Sequence, residues 1–458
     1  MIHTVIYLGL LISTVIIILG VLQNLFVGYL LIACWFIFVV ISISRGVRVK
    51  NILAMSFIGG KKSLVVIKIL LLIGAITGSW MVSGTIPGIV YYSLELIRPE
   101  IFVLLTFLIS CAASFILGSA SGTAGIVGLP LIIIAKGGNA NLNLVAGAII
   151  AGAYFGDRCS PVSSSAVLVS NLTGTDLFTN IKNMLSSSVI PFILSLGFYY
   201  EISRLNPLKM VNSNLTIEIL NTFKIEYLVL LPVLVILVLS LAKINIQYAM
   251  LMSVLTASII AVFVQGHPPL QVLNDILFGF KLDTKSFLHN IIEGGGVISM
   301  LKTCFVVFAA SALAGLLEDI RAFDGIKNFL TNMKLKGSRL YGLTTVVSTL
   351  TAAFGCTQSM AVILTDEIMR DCYSKEENYQ FALDMENSCI LTSALIPWNI
   401  GALLCTTTLG VNMYGFIPYA FYIYVFPIIY FLYFWNKEKL KCINGNLNSK
   451  GIRSHLKW

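Results

Sequence analysis

The sequence predicts an all-α polytopic membrane protein of about 11–13 transmembrane segments, in two inverted repeats with broken or re-entrant helices. Three observations carry this. Of 458 residues, 57% are hydrophobic and 11% charged, with a mean hydropathy of +0.90, whereas soluble domains carry about 25% charge. The apolar residues come in runs of about 20, the length that crosses a bilayer core. Gly-, Ser- and Pro-interrupted spans then recur in the same order in the two halves of the chain, which points to a site between repeats.

The first repeat is expected over residues 1–203. Two uninterrupted spans open it, at 4–21 and 24–43. The first lacks a basic leading region and is followed closely by the second, so it reads as a span and not as a removable signal peptide. The run at 63–97 is too long for one straight helix and is interrupted around Gly84 and Pro87, where Gly loosens a helix and Pro removes a donor. A kink and a pocket-lining break both fit it. The span at 100–117 runs into the small residues 118–125, with Gly118 and Gly122 as helix breaks. Their density of Ser, Thr and Gly favours a re-entrant tip over a packing face. The stretch at 147–171 follows. It begins apolar and then presents Asp157, Arg158, Ser160, Pro161, Ser163, Ser164 and Ser165 at membrane depth. A lipid-facing helix does not tolerate such groups, but a helix broken at Pro161 beside a water-filled cavity does. A span near 188–202 closes this half.

Residues 204–224 read as a polar linker, and 225–435 as the second repeat. Spans at 225–242 and 246–264 precede a less hydrophobic, surface-lying segment at 269–290. A span opening at Glu293-Gly294-Gly295-Gly296 ends at Glu318-Asp319. The next breaks at Gly355, leaving Thr357, Gln358 and Ser359 polar; the one after carries Glu386 and breaks at Pro397, before Trp398 and Asn399. A last span at 416–435 precedes a basic tail at 436–458.

The formal charge of +9 follows topology. Lys and Arg cluster at 45–62, at 327–339 and in the tail, so the positive-inside rule makes these segments and the C-terminus cytoplasmic, in a multi-pass protein of the plasma membrane. The expected partners are the lipid bilayer and a small ion or small polar solute, not nucleic acid; a homodimer is compatible with the sequence and not required by it. No cofactor is expected. The nine cysteines show no paired or metal-binding spacing. No His-Glu-x-x-His or Walker A motif is present, and none of His3, His267, His289 and His455 lies mid-span, so an enzyme has little support.

The motifs together resemble the NhaC family of sodium/proton antiporters. The matching pieces are LVAGAIIAGAYFGD at 144–157, Ser160-Pro161 with Ser163, Gly174-Thr175-Asp176-Leu177-Phe178, Gly294-Gly295-Gly296 with Ser299-Met300, Gly315-Leu316-Leu317-Glu318, Leu391-Thr392-Ser393, and Ile396-Pro397-Trp398-Asn399. The resemblance implies inverted repeats and transported Na+ and H+, in a family that also includes exchangers of organic acids and amino acids. Three acidic places of the family pattern hold Ser164, Thr357 and Asn387 here; that shifts weight towards a Na+- or H+-coupled solute exchanger or symporter, with Na+/H+ antiport still first.

Antiport needs a carboxylate that holds either ion, and Asp157 is the leading candidate. Ser160, Ser163, Ser164 and Ser165 supply hydroxyls beside the break, with Thr357, Gln358 and Ser359 as the opposing wall. Asn399 and Trp398 close the pocket, an interfacial anchor being the other reading of Trp398. Glu386 is a second coupling candidate or a helix-end carboxylate in water, and Glu318 reads as a span end.

Overall fold

A computed structural model describes residues 2–23, 25–96, 98–208, 213–242, 244–282, 294–319 and 324–449. Glu293, residues 209–212 of the linker and 450–458 of the basic tail lie outside the described residues. The first half carries α1 (Ile2–Leu22), α2 (Val27–Ser44), α3 (Val49–Lys62), α4 (Leu64–Val82), α5 (Thr85–Leu96), α6 (Phe102–Leu117), α7 (Ala120–Gly137), α8 (Leu142–Cys159), α9 (Ser164–Thr173) and α10 (Leu177–Leu205). The second carries α11 (Ser213–Thr222), α12 (Leu231–Leu241), α13 (Ile246–Ile260), α14 (Pro269–Phe278), α15 (Leu301–Asp319), α16 (Asp324–Asn332), α17 (Gly337–Gly355), α18 (Gln358–Met369), α19 (Asn378–Met385), α20 (Ile400–Leu409) and α21 (Phe421–Ser449). Between α19 and α20, a wide turn at Glu386–Ile390 and a short helix at Leu391–Ser393 lead into a break.

Among the described residues, seven helices are long and apolar enough to cross a membrane, or eight if Thr216–Thr222 and Tyr227–Ser240, bent by 95°, form one span. Val5–Val21, Ile400–Leu409 and Phe421–Asn436 are shorter apolar helices, and the expected 11–13 segments include such shorter and broken pieces. Interruptions leave α9, α18 and α20 with 10, 12 and 10 residues, each too short to span about 30 Å alone. The run at 63–97 does break: α4 ends at Val82 and Gly84 is left-handed (φ +74). Gln265 fills that break, its Nε2 donating to the Ser83 carbonyl at 3.2 Å. Of the segment expected to lie on the surface at 269–290, residues 283–290 lie outside the described residues; α14 is largely exposed, with Val272 buried, and one side of it meets α4, where a Cβ on Gly78 would lie 2.5 Å from the Asp275 carbonyl oxygen.

Small residues set the closest helix contacts. A Cβ on Gly59 of α3 would lie 2.6 Å from the Ser311 carbonyl oxygen and 2.8 Å from Gly315 Cα of α15. Gly152 of α8 meets the Phe107 carbonyl oxygen of α6 in the same way, at 2.6 Å. With no hydrophobic drive between helices in lipid, such close backbone packing supplies the cohesion. It also holds α8 rigidly at the centre, where it is buried on nearly all sides.

Candidate functional site

Four breaks build the site, and they pair. Gly118, left-handed at φ +62, ends α6; Ser119 is extended, and its Oγ accepts the Gly122 N–H at 3.1 Å to start α7. In the second half Cys356, left-handed at φ +55, ends α17; Thr357 is extended and accepts the Met360 N–H at 3.0 Å to start α18. The chain leaves α8 at Ser160, and Ser163 caps α9. Asn399 caps α20 in the corresponding place, accepting the Gly401 N–H at 3.1 Å. Within each half one break lies on the other. A Cβ on Gly118 would lie 2.7 Å from the Val162 carbonyl carbon, and the Ile400 N–H donates to the Cys356 carbonyl at 2.7 Å.

The interruption at 118–125 is shorter than the sequence suggested. Only Gly118 and Ser119 leave the helix; Gly122 lies inside α7, because its N–H is already held by Ser119. The breaks expected at Pro161, Gly355 and Pro397 fall where the helices end.

Asp157 sits in the last turn of α8 and is 5% exposed. Gln358 Nε2, on the first residue of α18, donates to its Oδ2 at 2.9 Å. Ser165 Oγ, in the first turn of α9, lies 3.4 Å from the same oxygen. The start of α7, at Ala120, also lies beside the carboxylate. Three helix N-termini, which carry partial positive charge, therefore gather around one carboxylate.

The other expected site residues divide. Ser163 Oγ donates to the Asp157 carbonyl, and Ser165 Oγ lies 3.2 Å from that carbonyl and 2.8 Å from Ser163 Oγ, so the carbonyl freed by the break is satisfied. Ser160 turns to the Phe115 carbonyl of α6 at 2.6 Å, and Ser164 is exposed. Ser359 is exposed too, on a cleft of about 230 Å³ that Thr357 also lines, together with Lys62 and Glu318. Asn399 is fully buried and donates to the Ala352 carbonyl at 3.1 Å. Trp398 is buried as well, its Nε1 donating to the Ala353 carbonyl at 2.7 Å, so it is not an interfacial anchor.

Glu386 is not a helix-end carboxylate in water: it is 0% exposed, and neither carboxylate oxygen has a hydrogen-bond partner. It lies within electrostatic reach of Arg158 and Asp157. Arg158, also 0% exposed, donates to Asn387 Oδ1 and Ser188 Oγ, to the Met184 carbonyl at 3.1 Å and to Tyr422 Oη at 3.3 Å. Its guanidinium carbon lies 4.2 Å from the centre of the Phe426 ring.

Two groups escaped the sequence reading. The cage around Arg158 draws on α10 and α21, far away in the chain. Asp384, 2% exposed, accepts from Tyr373 Oη at 2.9 Å and Gln380 Nε2 at 2.7 Å. Its signal was an acid four residues after an amide donor on one helix face. Asp157, Arg158, Asp384 and Glu386 are the buried charged side chains among the described residues. Those residues hold no group of three or more His, Cys, Asp or Glu suited to a resident metal.

Apolar spans whose breaks converge on buried acids define the class: a membrane transporter built around discontinuous helices. The chain belongs to the Na+/H+ antiporter family, whose model matches residues 1–168 and 152–436. It is 30% identical to the malate-2H(+)/Na(+)-lactate antiporter of Bacillus subtilis over 402 residues, 85% of each chain. To the Na(+)/H(+) antiporter NhaC of Alkalihalophilus pseudofirmus it is 28% identical over 372 residues, 80% of each chain. To the arginine/ornithine antiporter ArcD of Halobacterium salinarum it is 27% identical over 383 residues, 79% of this chain and 76% of that one.

Proposed function

We propose that the protein is a Na+/H+ antiporter of the NhaC type, working by alternating access in the plasma membrane with its C-terminus in the cytoplasm. The observation that carries this is Asp157, a buried carboxylate at the meeting point of three half-helix ends, with the unbonded Glu386 nearby. Asp157 binds Na+ or a proton in turn, aided by Ser165 and Gln358, and Glu386 takes part in the coupling. The arrangement of two inverted repeats, 1–203 and 225–435 about a linker at 204–224, is supported by the matched breaks. It is also supported by α4 and α15, each 19 residues long: α4 begins next to Lys62, and α15 ends at the same place through the Lys62–Glu318 pair. The two helices therefore run in opposite directions.

Everted vesicles from cells lacking their own antiporters test the reading. With a pH-sensitive dye, adding Na+ collapses an imposed proton gradient, and in Asp157→Asn vesicles with normally inserted protein it does not. An Asp157→Asn protein as active as the parent removes Asp157 from the mechanism.

A second reading is exchange of a small organic acid or amino acid coupled to Na+ or H+. Neutral Ser164, Thr357 and Asn387 favour it, as do the malate/lactate and arginine/ornithine antiporters among the relatives. No effect of Na+ across a range of pH makes it the first reading, and the same vesicles are then screened with amino acids and small carboxylates.

A further inference from the structure

The cleft of about 230 Å³ between α3, α15 and the third break joins the surroundings of Asp157 to an exposed ion pair. Its inner wall is Thr357 and Ser359, which flank Gln358, the donor to Asp157. At its other side Lys62 Nζ lies 2.8 Å from Glu318 Oε2, an ion pair across 256 residues of sequence, with side chains 55% and 42% exposed. The close approach of Gly59 to Gly315 brings the ends of α3 and α15 together at this point.

An exposed ion pair contributes little to stability, and helix contact here is already secured by the glycines. What the pair does is fill the cleft with a tethered ammonium bound to a carboxylate. Lys62 also belongs to the basic segment at 45–62, the side that the positive-inside rule makes cytoplasmic. Beyond the pair the cleft is lined by Val66, Ala314 and Met360 as well as by glycines and by the hydroxyls of Ser63, Ser311, Thr357 and Ser359, and these hydroxyls are the groups a cation would follow inward.

We propose that Glu318 is an outer binding site for a monovalent alkali cation at the cytoplasmic mouth, and that Lys62 occupies it until an incoming cation takes its place. The cation then passes along Ser359 and Thr357 towards Gln358 and Asp157. This rests on the antiport reading for its cargo, but its geometry is tested independently of transport.

The two charges have opposite tasks, so their neutral variants move opposite ways. Glu318→Gln raises the Na+ concentration for half-maximal proton movement, and Lys62→Gln lowers it, each by about 2- to 5-fold, the scale of a half-exposed charge. Rates at saturating Na+ stay near the parent's, because Asp157 is untouched. A structural brace gives instead the same direction for both variants, with parallel losses of inserted protein, and overturns the proposal.

The second readout is alkylation of Ser359→Cys by a water-soluble charged maleimide, in a background of Cys372→Ser with Cys442→Ser. Na+ slows the labelling; Glu318→Gln weakens that protection and Lys62→Gln strengthens it. Protection that ignores both variants, or a Ser359→Cys that is never labelled, also overturns the outer site. If parental vesicles show no Na+-driven proton movement, antiport fails as the function while the labelling still decides the access route.

Discussion

Arg158 is a full positive charge out of contact with water, and no carboxylate lies within ion-pair distance of it among the described residues. Such burial is costly unless the charge is compensated. Here the compensation comes from amide, hydroxyl and carbonyl dipoles and the face of Phe426. Removing it should therefore cost about 3–5 kcal/mol, as when one partner of a buried charge set is deleted. We expect Arg158→Ala to lower the thermal midpoint of the purified protein sharply, and Arg158→Lys to lower it less, since the charge stays and the planar fork is lost. Equal losses would mean that the fork, not the charge, is what matters. Glu386 predicts the opposite split. Neither of its oxygens holds a bond that Gln would forfeit, so Glu386→Gln should keep stability within about 1 kcal/mol of the parent. Its Na+-dependent proton movement should fall at least about tenfold, if the group works in proton transfer. A variant that is stable and fully active would exclude Glu386 from coupling. Sequence made Asp157 and Glu386 legible, because acids in apolar spans stand out. It did not make the Arg158 cage legible, since adjacent residues on a helix face different neighbours and Ser188, Asn387, Tyr422 and Phe426 meet only in the fold.

At the scale of elements, the breaks are what the sequence announced best and also where it misled. Ser-Pro at 160–161 and Pro397 mark helix ends for a plain reason: proline lacks the donor and crowds the preceding turn. Cys356 falls within the stretch 354–359 that reads as broken, but the sequence places the break at Gly355 and does not single out its neighbour, because a left-handed non-glycine residue has no sequence signature of its own. Gly122 was over-read, because a serine cap three residues earlier looks in sequence like more break-prone composition. Two left-handed glycines separate backbone strain from packing at these breaks. Gly174, φ +65, has nothing within 4 Å of where a Cβ would stand, whereas Gly118, φ +62, has the backbone of Val162 and Ser163 at 2.7–2.8 Å. Gly174→Ala should then cost only the left-handed penalty, about 1–2 kcal/mol, and leave transport intact. Gly118→Ala adds a backbone clash at the joint between two breaks, so it should destabilise more and also impair Na+-dependent proton movement. Equal behaviour of the two variants would show that the contact between the first two breaks is dispensable.

Across the whole molecule, the alternation of long apolar runs with short broken helices is why composition recovered a polytopic all-α fold while leaving the number of full crossings open. Length and hydropathy cannot tell a full crossing from two half-helices that meet midway, as α8 with α9 and α17 with α18 do. The charge inventory is a further property of the whole. Among the described residues, three buried carboxylates, Asp157, Asp384 and Glu386, stand against one buried guanidinium, and the hydroxyl, amide and carbonyl groups around Arg158 already take up its donors on both terminal nitrogens. An interior with an excess of acids attracts cations and repels a carboxylate-bearing solute, because charges out of water interact strongly. A dicarboxylate cargo would need an arginine or lysine able to bind it through a two-pronged contact, and Arg158, the one buried cation among the described residues, has its Nε alone without a partner, both terminal nitrogens being engaged. Added malate or lactate should therefore leave the Na+-dependent proton signal of everted vesicles unchanged in size and in half-saturating Na+, while Li+, a smaller cation of the same charge, should compete with Na+. If malate instead raises the signal severalfold and Asp157→Asn leaves that increase in place, the cargo is the organic anion and the buried acids serve only its coupling ion.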